Sequence, residues 1–591
     1  MPFDIFPSQP QRPNIMARRH AVASGHYWAS QAGFQVLEAG GNAIDAGVAA
    51  GLALNVLESE MCTFGGVAPT MIYLAEENRV VSFSGVGPWP RKASCDYFHE
   101  HHGGRVPDGV LYSVVPATPD IWLTALEKYG TMSFGEVAAS AIRFARDGFP
   151  MYPIFLEQIR DRAEALAKKP STAAIYLPGG KVPELGENFV QADLARTLQY
   201  LVDEEAAHAS RGRAEGIDAA RRAFYRGDIA KAIVRQQEEM GGLLDAQDLA
   251  SFRARVETPH RIGFGDFEVY GCGAWSQGPM VLEALNILKQ FDLKALGHNT
   301  ADYIHVVAEA LKLAAADRER YFGDPDFIDV PVERLLSEAY ARERAESLDL
   351  ETAWPEMPEH GVIDGYEQRP WRPDPSTTSK GPIPKTHIHS GSAEAPQLET
   401  SYLCAVDRHG NAFSSTPSDS NFSGHIVPGT GTVCSTWGSR AYTDPDHPGA
   451  VGGGRRPRMS ANPQIAIRPG KEVIAFGSPG NEVLGQAQVQ VFLNRAVFGM
   501  DPQSALEQAR FASYSWPGSI VPHPYFPGRL NLESRIPAAI GEDLQGRGHK
   551  VEWWPERKWL AGSPCMIVND LLDGNRYAAA DHRRTAYAIG W

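Results

Sequence analysis

The chain has 591 residues, 43% of them hydrophobic and 21% charged, with a formal net charge of −15. This length and composition predict a globular protein built as two domains or as one large multilayered domain. The negative charge argues against nucleic acid and anionic membranes as partners. No apolar run approaches the ~18 residues of a membrane span.

Targeting and redox signals are also missing from the sequence. The first twenty residues contain no apolar signal core followed by a small-residue cleavage site. Six cysteines are scattered without CxxC spacing, which argues against a zinc knot or a disulfide framework and favours a reducing compartment. We therefore expect a cytoplasmic protein.

The first clear elements are two helical patterns separated by Gly40 and Gly41. The second pattern, Ala43–Leu57, is apolar nearly all round, which predicts a buried and closely packed helix with Asn42 as its N-cap. The following segment alternates like a hairpin with a polar turn at 76–79. From about residue 118 to 350 the periodicity is mostly helical.

After residue 400 the pattern changes to strands with a helix inserted among them. A helical first part and a strand-rich last part predict an α+β or layered α/β architecture rather than strict βαβ alternation. Within the last part, "QLETSYLCAVDRHGNAFSST" (397–416) predicts two strands joined by a tight turn at 407–411. Thr400 is expected to open the first of these strands.

The segment before Thr400, residues 354–399, is rich in Pro, Gly, Ser and His and has no periodicity. A stretch of this length is unusual inside a compact domain, so it is either a disordered connector or a mobile segment where the chain is cut. A Thr that follows such a cut fits an N-terminal nucleophile, whose hydroxyl attacks while its freed α-amine acts as the base. The alternative is an ordinary β-branched residue in a strand.

Further along, "FGSPGNEVLG" (476–485) predicts a strand, a glycine turn and a helix. Backbone N–H groups in such a turn can stabilise an oxyanion, although an ordinary strand-to-helix turn has the same pattern. His387 and His389 have HxH spacing but no further ligand at metal-binding distance in the sequence. We expect solvated histidines there, and neither a metal nor another cofactor.

Five blocks in the same order make the chain similar to the γ-glutamyltransferase family of N-terminal nucleophile hydrolases. They are "ASQAGFQVLEAGGNAIDAGVAAGLAL", "WSQGPMVLEALNILKQFDL", "ADYIHVVAEALKLAAADRERYFGDPDF", "ETSYLCAVDRHGNAFSST" and "GSPGNEVL". The resemblance implies an αββα sandwich with a largely helical N-terminal portion. It also implies autocleavage between Glu399 and Thr400, giving a large subunit (1–399) and a small subunit (400–591) that fold as one unit.

The resemblance assigns roles to individual residues. Thr400 lies at the nucleophile position, and Gly480 and Asn481 lie at the oxyanion turn, where backbone N–H groups are the donors. Ser460 falls on the second residue of a Ser-Ser pair near the substrate, and Met459 replaces the first.

A second Thr, which supports the nucleophile in the family, falls at Ser418, or at Pro417 if a one-residue gap is placed earlier. Two departures concern the substrate. Ser84 stands where the family has the Arg that binds the glutamyl α-carboxylate, and Arg91 comes only seven residues later. The strand that should bind the α-ammonium has no Asp or Glu and carries Arg440 instead.

The family's Arg for the α-carboxylate and its acidic residues for the α-ammonium are thus both missing. This loss predicts a substrate other than a standard γ-glutamyl compound. We expect a small-molecule amide, hydrolysed rather than transferred because water always competes for the ester, with Arg440 facing an anionic acyl end. Arg440 as a surface or structural residue stays open. Two further alternatives are a genuine γ-glutamyltransferase or glutathione hydrolase, and an unprocessed relative that only binds.

Overall fold

The structure, a computed structural model, describes residues 11–366 and 399–591. Most of the irregular segment predicted at 354–399, together with His387 and His389, lies outside the described residues. The strands, in chain order, are β1 Ile15–Ala17, β2 Ala21–Ser24, β3 Thr70–Leu74, β4 Arg79–Phe83, β5 Phe149–Pro150, β6 Asn188–Phe189, β7 Val256–Glu257, β8 His260–Phe264, β9 Phe267–Gly271, β10 Leu403–Val406, β11 Ala412–Ser415, β12 Gln464–Arg468, β13 Glu472–Gly477, β14 Phe511–Ser513, β15 Arg529–Glu533, β16 Lys550–Trp554, β17 Cys565–Asp570, β18 Arg576–Ala580 and β19 Tyr587–Gly590.

The helices begin and end at the following residues: α1 Tyr27–Glu38, α2 Ala43–Leu57, α3 Cys95–His102, α4 Thr118–Tyr129, α5 Phe134–Asp147, α6 Pro153–Ala167, α7 Pro170–Tyr176, α8 Ala192–His208, α9 Arg213–Tyr225, α10 Asp228–Met240, α11 Ala246–Ser251, α12 Gly278–Leu288, α13 Leu293–Leu296, α14 Ala301–Tyr321, α15 Val332–Leu335, α16 Glu338–Glu346, α17 Glu482–Ala496, α18 Pro502–Glu507 and α19 Ala538–Gly546.

Two seven-stranded sheets form the centre of the fold. The strand order is β1-β18-β17-β13-β12-β9-β8 in the first sheet and β19-β2-β10-β11-β3-β4-β7 in the second. All strand pairs within these two sheets are antiparallel. Small sheets β14-β15-β16 and β5-β6 lie outside them.

The side-chain alternation of the central strands shows how the sheets stack. On β10, Leu403 and Ala405 belong to the core shared with α2, whereas Cys404 and Val406 belong to a core between the sheets. Successive side chains of a strand point to opposite faces, so β10 is buried on both sides. Helices α1 and α2 cover the second sheet, and α12 and α17 cover the first, with α14 packed against α12. The predicted αββα sandwich is confirmed.

Helix α2 illustrates why the sequence specifies this packing. All of its residues are buried and Asn42 is its N-cap, as the sequence predicted. Asp45 completes a capping box with Asn42. A Cβ atom on Gly47 would lie 2.2 Å from the ring of Phe413 on β11. The small residues of α2 therefore let the helix approach the sheet that carries the candidate nucleophile.

The region from about residue 118 to 350 is mostly helical, as the sequence predicted. It also contains the hairpin β8–β9, whose short period-two pattern around the positive-φ turn at Gly265 is not visible in a long helical average. The expected start of the strand after residue 400 is wrong. Thr400 does not open the strand, because β10 begins at Leu403. Ser401 N–H donates to Pro417 O at 2.9 Å, but Pro417 has no N–H to return, so the ladder ends there.

All six cysteines lie in the described part of the chain and are buried and unpaired. Of the helices that the structure describes, none combines the length and apolar character needed to cross a bilayer.

Candidate active site

Thr400 lies at the end of the β10–β11 hairpin and is buried, with 2% of its surface exposed. Its Oγ1 lies 2.9 Å from Ser418 Oγ. Ser418 Oγ in turn donates a hydrogen bond of 2.9 Å to the carbonyl oxygen of Glu399. The structure therefore brings together the candidate nucleophile, its supporting hydroxyl and the carbonyl of the peptide bond predicted to break.

The direction of these hydrogen bonds can be worked out from the proton count. A hydroxyl has one hydrogen to donate, and Ser418 uses its hydrogen toward Glu399 O. The Thr400 hydroxyl must therefore donate to Ser418 Oγ. Ser418 thus faces the two groups whose charges change when Thr400 attacks Glu399: it accepts from the attacking hydroxyl and donates to the carbonyl oxygen.

The backbone around Ser418 is fixed by a bridge to the segment before β3. Ser418 N–H donates to Val67 O at 2.9 Å, and Val67 N–H donates to Ser418 O at 3.3 Å. A Cβ atom on Gly66 would lie 2.4 Å from Ser418 O, so glycine is required for this approach. Of the two alignments left open by the sequence, the structure places Ser418, not Pro417, against Thr400.

The next residue, Asp419, has the positive φ of 84° that non-glycine residues rarely adopt. Its carboxylate accepts hydrogen bonds from Ser435 Oγ at 2.7 Å, Thr436 N at 2.8 Å and Thr436 Oγ1 at 2.6 Å. These donors hold the unusual conformation and, because Asp419 adjoins Ser418, they help fix the serine.

Glu399 is buried as well, and its side chain has defined partners. One carboxylate oxygen accepts a short hydrogen bond from Ser423 Oγ. The other lies 3.7 Å from a terminal nitrogen of Arg440. The guanidinium of Arg440 is 2% exposed, lies 3.4 Å from the ring centroid of Trp437 and donates to Ser439 Oγ at 3.0 Å. The reading of Arg440 as a surface residue is therefore wrong.

The carboxyl groups around Arg440 have perturbed acidities. Burial raises the pKa of Glu399 to about 7, nearby Asp419 adds to the rise, and Arg440 opposes it. Burial also raises the pKa of Asp419, against the hydrogen bonds from Thr436 and Ser435. Two buried carboxyls thus share one guanidinium, an arrangement that favours ionisation of only one of them at a time.

The predicted oxyanion turn lies between β13 and α17. Gly480 has a φ of 134° and Asn481 a φ of 50°. We find no hydrogen bond from either backbone N–H within residues 11–366 and 399–591, whereas both carbonyls accept bonds from the first turn of α17. Two unpaired N–H groups at a helix N-terminus are suited to an anionic oxygen. The Asn481 side chain accepts from Ser460 Oγ at 3.3 Å.

The turn and the hairpin approach each other across the two sheets. A Cβ atom on Gly477, at the end of β13, would lie 2.2 Å from the ring of Tyr402. Arg440 is within electrostatic reach of Glu399 at the hairpin and of Glu482, the residue that follows the turn. The charge of Arg440 therefore acts on carboxylates in both halves of the candidate site.

Ser84 has partners other than Thr400, Glu399 and Arg440. Its hydroxyl accepts a hydrogen bond of 2.8 Å from Arg456, which also contacts Asp324 at 2.6 Å and Glu257 at 2.8 Å. The positive charge that reaches the Ser84 position is therefore already neutralised by carboxylates. Arg91 pairs with Asp245 and Asp248 instead of replacing the missing Arg.

A cavity of about 1190 Å³ opens beside Arg456. Its lining includes Trp275, Glu257 and Asp326, but neither Thr400 nor Ser418 nor the oxyanion turn. With the Glu399–Thr400 bond intact, the candidate nucleophile therefore faces buried partners rather than this cavity.

One described group has the composition of a metal site, namely His305, Glu309 and His549. His305 Nε2–H donates to Asp349 O at 2.8 Å, so its Nδ1 accepts from His549 Nε2–H at 2.9 Å. The ammonium of Lys312 lies 2.7 Å from the Glu309 carboxylate. Protons and a lysine already occupy the ligand positions, so the group is explained as a hydrogen-bonded network.

Sequence reasoning missed several residues of the site. Asp419 adjoins Ser418, and its position beside a predicted site residue was a usable signal. Ser423, which contacts Glu399, and Arg584, which donates to Thr400 O at 3.1 Å, carry no local sequence signal. Both contacts depend on long-range packing.

Known proteins share this architecture over nearly the whole chain. Acylase ACY 1 proenzyme of Pseudomonas sp. (strain SE83) is 32% identical over 549 residues, covering 90% of this chain and 87% of that protein. Glutathione hydrolase proenzyme of Escherichia coli (strain K12) is 29% identical over 590 residues, covering 96% and 91%. The crystal structure of cephalosporin acylase from Bacillus halodurans superposes with a TM-score of 0.83 at 26% identity, covering 99% and 98%.

The gamma-glutamyltranspeptidase family matches residues 29–591. Together with the sandwich of two antiparallel sheets between helical layers, this match identifies the class of protein. The chain belongs to the gamma-glutamyltranspeptidase family and is an enzyme of the N-terminal nucleophile hydrolase type.

Proposed function

We propose that the chain is a proenzyme that cleaves itself between Glu399 and Thr400 and then hydrolyses an amide through an ester on Thr400. The observation that carries this proposal is the contact chain from Thr400 Oγ1 through Ser418 Oγ to Glu399 O. The named relatives that are proenzymes support the cleavage step.

In the first step Thr400 Oγ attacks the carbonyl carbon of Glu399 while its proton passes to Ser418 Oγ. The Ser418 hydroxyl hydrogen moves toward the carbonyl oxygen, where negative charge develops. The C–N bond then breaks, the nitrogen takes up a proton, and an ester joins Glu399 to Thr400. The α-amine of Thr400 is freed in this step. Water then hydrolyses the ester, which releases the main-chain carboxylate of Glu399 and restores the Thr400 hydroxyl.

In the mature enzyme the freed α-amine takes the proton of the Thr400 hydroxyl as it attacks the substrate carbonyl. The N–H groups of Gly480 and Asn481 are the proposed donors to the oxyanion. Collapse of the intermediate expels the amine, and water then attacks the ester. We favour hydrolysis over transfer because no second site for an amine acceptor is defined by the described residues.

The acyl group is proposed to end in a carboxylate. Arg440 and Ser423 hold the side-chain carboxylate of the residue whose carbonyl Thr400 attacks. When Glu399 leaves, this pair can receive a carboxylate at the same separation from the reacting carbonyl. A glutamyl residue has five carbons between and including these two groups, so a glutaryl amide is the simplest matching donor. Ser84 accepts a hydrogen bond from Arg456, whose charge is neutralised by carboxylates, so the Ser84 position supplies no second cation for the substrate.

Glutathione hydrolysis is the second candidate because a named relative carries that activity in its name. A γ-glutamyl group has the same five-carbon span as a glutaryl group and adds an α-ammonium. The absence of Asp and Glu from the segment around Arg440 (431–442), where the family binds that ammonium, disfavours glutathione, as does the neutralised arginine at Ser84. The order of rates on glutaryl, γ-glutamyl and uncharged butyryl anilides separates the two candidates.

The test is an intact-mass spectrum of the purified protein beside a Thr400→Ala variant, followed by assays with these three anilides. We expect two fragments that split before Thr400, absent from the variant, and the highest rate on the glutaryl donor. A single uncut species with full activity would contradict the proposed nucleophile, and a preference for the γ-glutamyl donor would contradict the proposed acyl group.

A further inference from the structure

The oxyanion turn has a conformation that its own sequence does not favour. Asn481 combines a φ of 50° with a ψ of −115°, a region that residues with side chains rarely enter. Such a conformation persists only where the surrounding structure fixes it. Because Asn481 is followed directly by Glu482, the first residue of α17, whatever holds Glu482 also fixes the end of the turn.

Both carboxylate oxygens of Glu482 are held by donors. One accepts from Arg318 at 2.9 Å and from the indole N–H of Trp516 at 3.0 Å. The other accepts from the backbone N–H of Ser519 at 2.7 Å. Although burial alone would raise the pKa of Glu482, Arg318 and these hydrogen bonds outweigh it and keep the pKa lowered. Glu482 is therefore an ionised side chain at neutral pH.

Arg318 is itself immobilised. Its side chain has no exposed surface. It donates to Glu319 at 2.8 Å and to Pro517 O at 2.9 Å, in addition to Glu482. Glu319 is fixed in turn by Arg458 at 2.5 Å. A planar guanidinium whose three nitrogens all have partners sets both the distance and the orientation of the carboxylate it binds.

We propose that Arg318 is the positioning residue of the oxyanion turn, holding Gly480 and Asn481 in place through its ion pair with Glu482. This inference rests on the proposed function. Arg318 lies on α14, before the proposed cleavage point, and Glu482 lies on α17, after it. In the processed enzyme the ion pair therefore joins the two chains, so the large subunit orients the donors that the small subunit supplies.

The test compares Arg318→Lys and Glu482→Gln with Arg344→Lys as the matched control. Arg344 forms a buried ion pair of 3.1 Å with Asp317, the neighbour of Arg318 on α14, and donates to Leu313 O and Glu359 O rather than to a residue of α17. The Lys variant keeps the positive charge of Arg318 but loses the planar guanidinium that binds three partners at once. Gln loses the charge and has a single acceptor oxygen, which can serve either Arg318 and Trp516 or Ser519 but not both sets of donors. If Arg318→Lys fails to fold, Glu482→Gln carries the test.

Kinetics of the processed proteins on glutaryl p-nitroanilide form the first readout. We expect kcat to fall roughly 10- to 100-fold in both test variants, with KM within about threefold, because a shift near 1 Å costs about 10²-fold. 4-Boronobutanoate, which forms a tetrahedral adduct with the hydroxyl, should lose affinity in parallel with kcat. Glutarate, which resembles the ground state, should bind the variants with unchanged affinity. Equal losses for both ligands, or kcat within about threefold of wild type, would overturn the proposal.

Amide hydrogen exchange of the peptide that spans residues 478–485 is a readout that needs no substrate. Exchange should be faster in Arg318→Lys and Glu482→Gln than in the wild type and in Arg344→Lys. Unchanged exchange would overturn the positioning role even in a protein without activity. Absence of cleavage or activity in the wild type, with faster exchange in the variants, would count against the proposed function and leave the positioning role supported.

Discussion

Two hairpins that lie side by side in the second sheet offer different chemistry. The β10–β11 hairpin ends in Thr400 and Ser418, two hydroxyls in direct contact with each other and with a carbonyl. The β3–β4 hairpin, which pairs with it through β3, ends near Ser84, whose hydroxyl is bonded to Arg456. The first hairpin brings two hydroxyls and a carbonyl together, whereas the arginine beside Ser84 at the end of the second is already paired with carboxylates.

Under the proposed function, bond cleavage and substrate recognition are specified by separate parts of the molecule. The proposed nucleophile depends on hydroxyls fixed by backbone contacts, which are independent of the acyl group. Recognition would depend on a few charged side chains. Arg440 forms an ion pair with Glu399, and buried Arg162 is also within electrostatic reach of it. Membership of the family therefore identifies the reaction type more securely than the donor.

The largest expected effect comes from removing the nucleophile. Thr400→Ala should abolish cleavage before residue 400 and lower amide hydrolysis by at least about 10³-fold, because no other group forms the ester. Thr400→Ser keeps a hydroxyl and should still be cleaved, more slowly. Intact mass and anilide hydrolysis measure both effects, and hydrolysis by the alanine variant at the wild-type rate would contradict the account.

The next effect concerns the hydroxyl that links the nucleophile to the carbonyl. Ser418→Ala removes the acceptor for Thr400 and the donor to Glu399, so cleavage should slow by about 10²-fold. Ser415→Ala is the matched control, because that serine lies in the same hairpin and bonds to Thr70 and Pro69 instead. The half-time of fragment appearance on a gel is the measurement. Equal slowing in both variants would point to a general loss of the hairpin.

A smaller and more selective effect is expected at the acyl end. Arg440→Gln should lower kcat/KM for glutaryl p-nitroanilide roughly 10- to 100-fold, since a charge-assisted contact is lost. The same change should leave the butyryl donor within about threefold. Ser84→Ala, in the neighbouring hairpin, should leave both donors within about threefold. Equal losses of both donors in Arg440→Gln would remove the proposed role in recognition.

The smallest effect is a pH dependence of precursor stability. The pKa of Glu399 is raised to about 7 in the folded precursor, so stability present below its ordinary pKa is lost as pH rises through 7. In a Thr400→Ala background, Glu399→Gln should therefore raise Tm at pH 8 relative to pH 5, by roughly 1–4 °C. Thermal unfolding at both pH values measures this difference. A shift that is the same at pH 5 and pH 8 would contradict the assigned acidity.

Much of this fold could be predicted from local sequence. Helix α2 and the β3–β4 and β10–β11 hairpins follow from apolar periodicity, capping and turn residues. The resemblance to the family placed Thr400, Ser418 and the Gly480–Asn481 turn in one site. The β8–β9 hairpin escaped prediction because its alternation is short. Pairings such as Arg456 with Ser84 and Arg318 with Glu482 depend on residues far apart in the chain, which no local pattern reveals.

The most direct test of the central claim is rapid acid quenching of the enzyme during turnover of glutaryl p-nitroanilide, followed by mass spectrometry of its fragments. The account predicts a gain of one glutaryl group on the fragment that begins at Thr400, located to that residue by peptide sequencing. Release of nitroaniline with no acyl group on this fragment, or with the group on another residue, would contradict it.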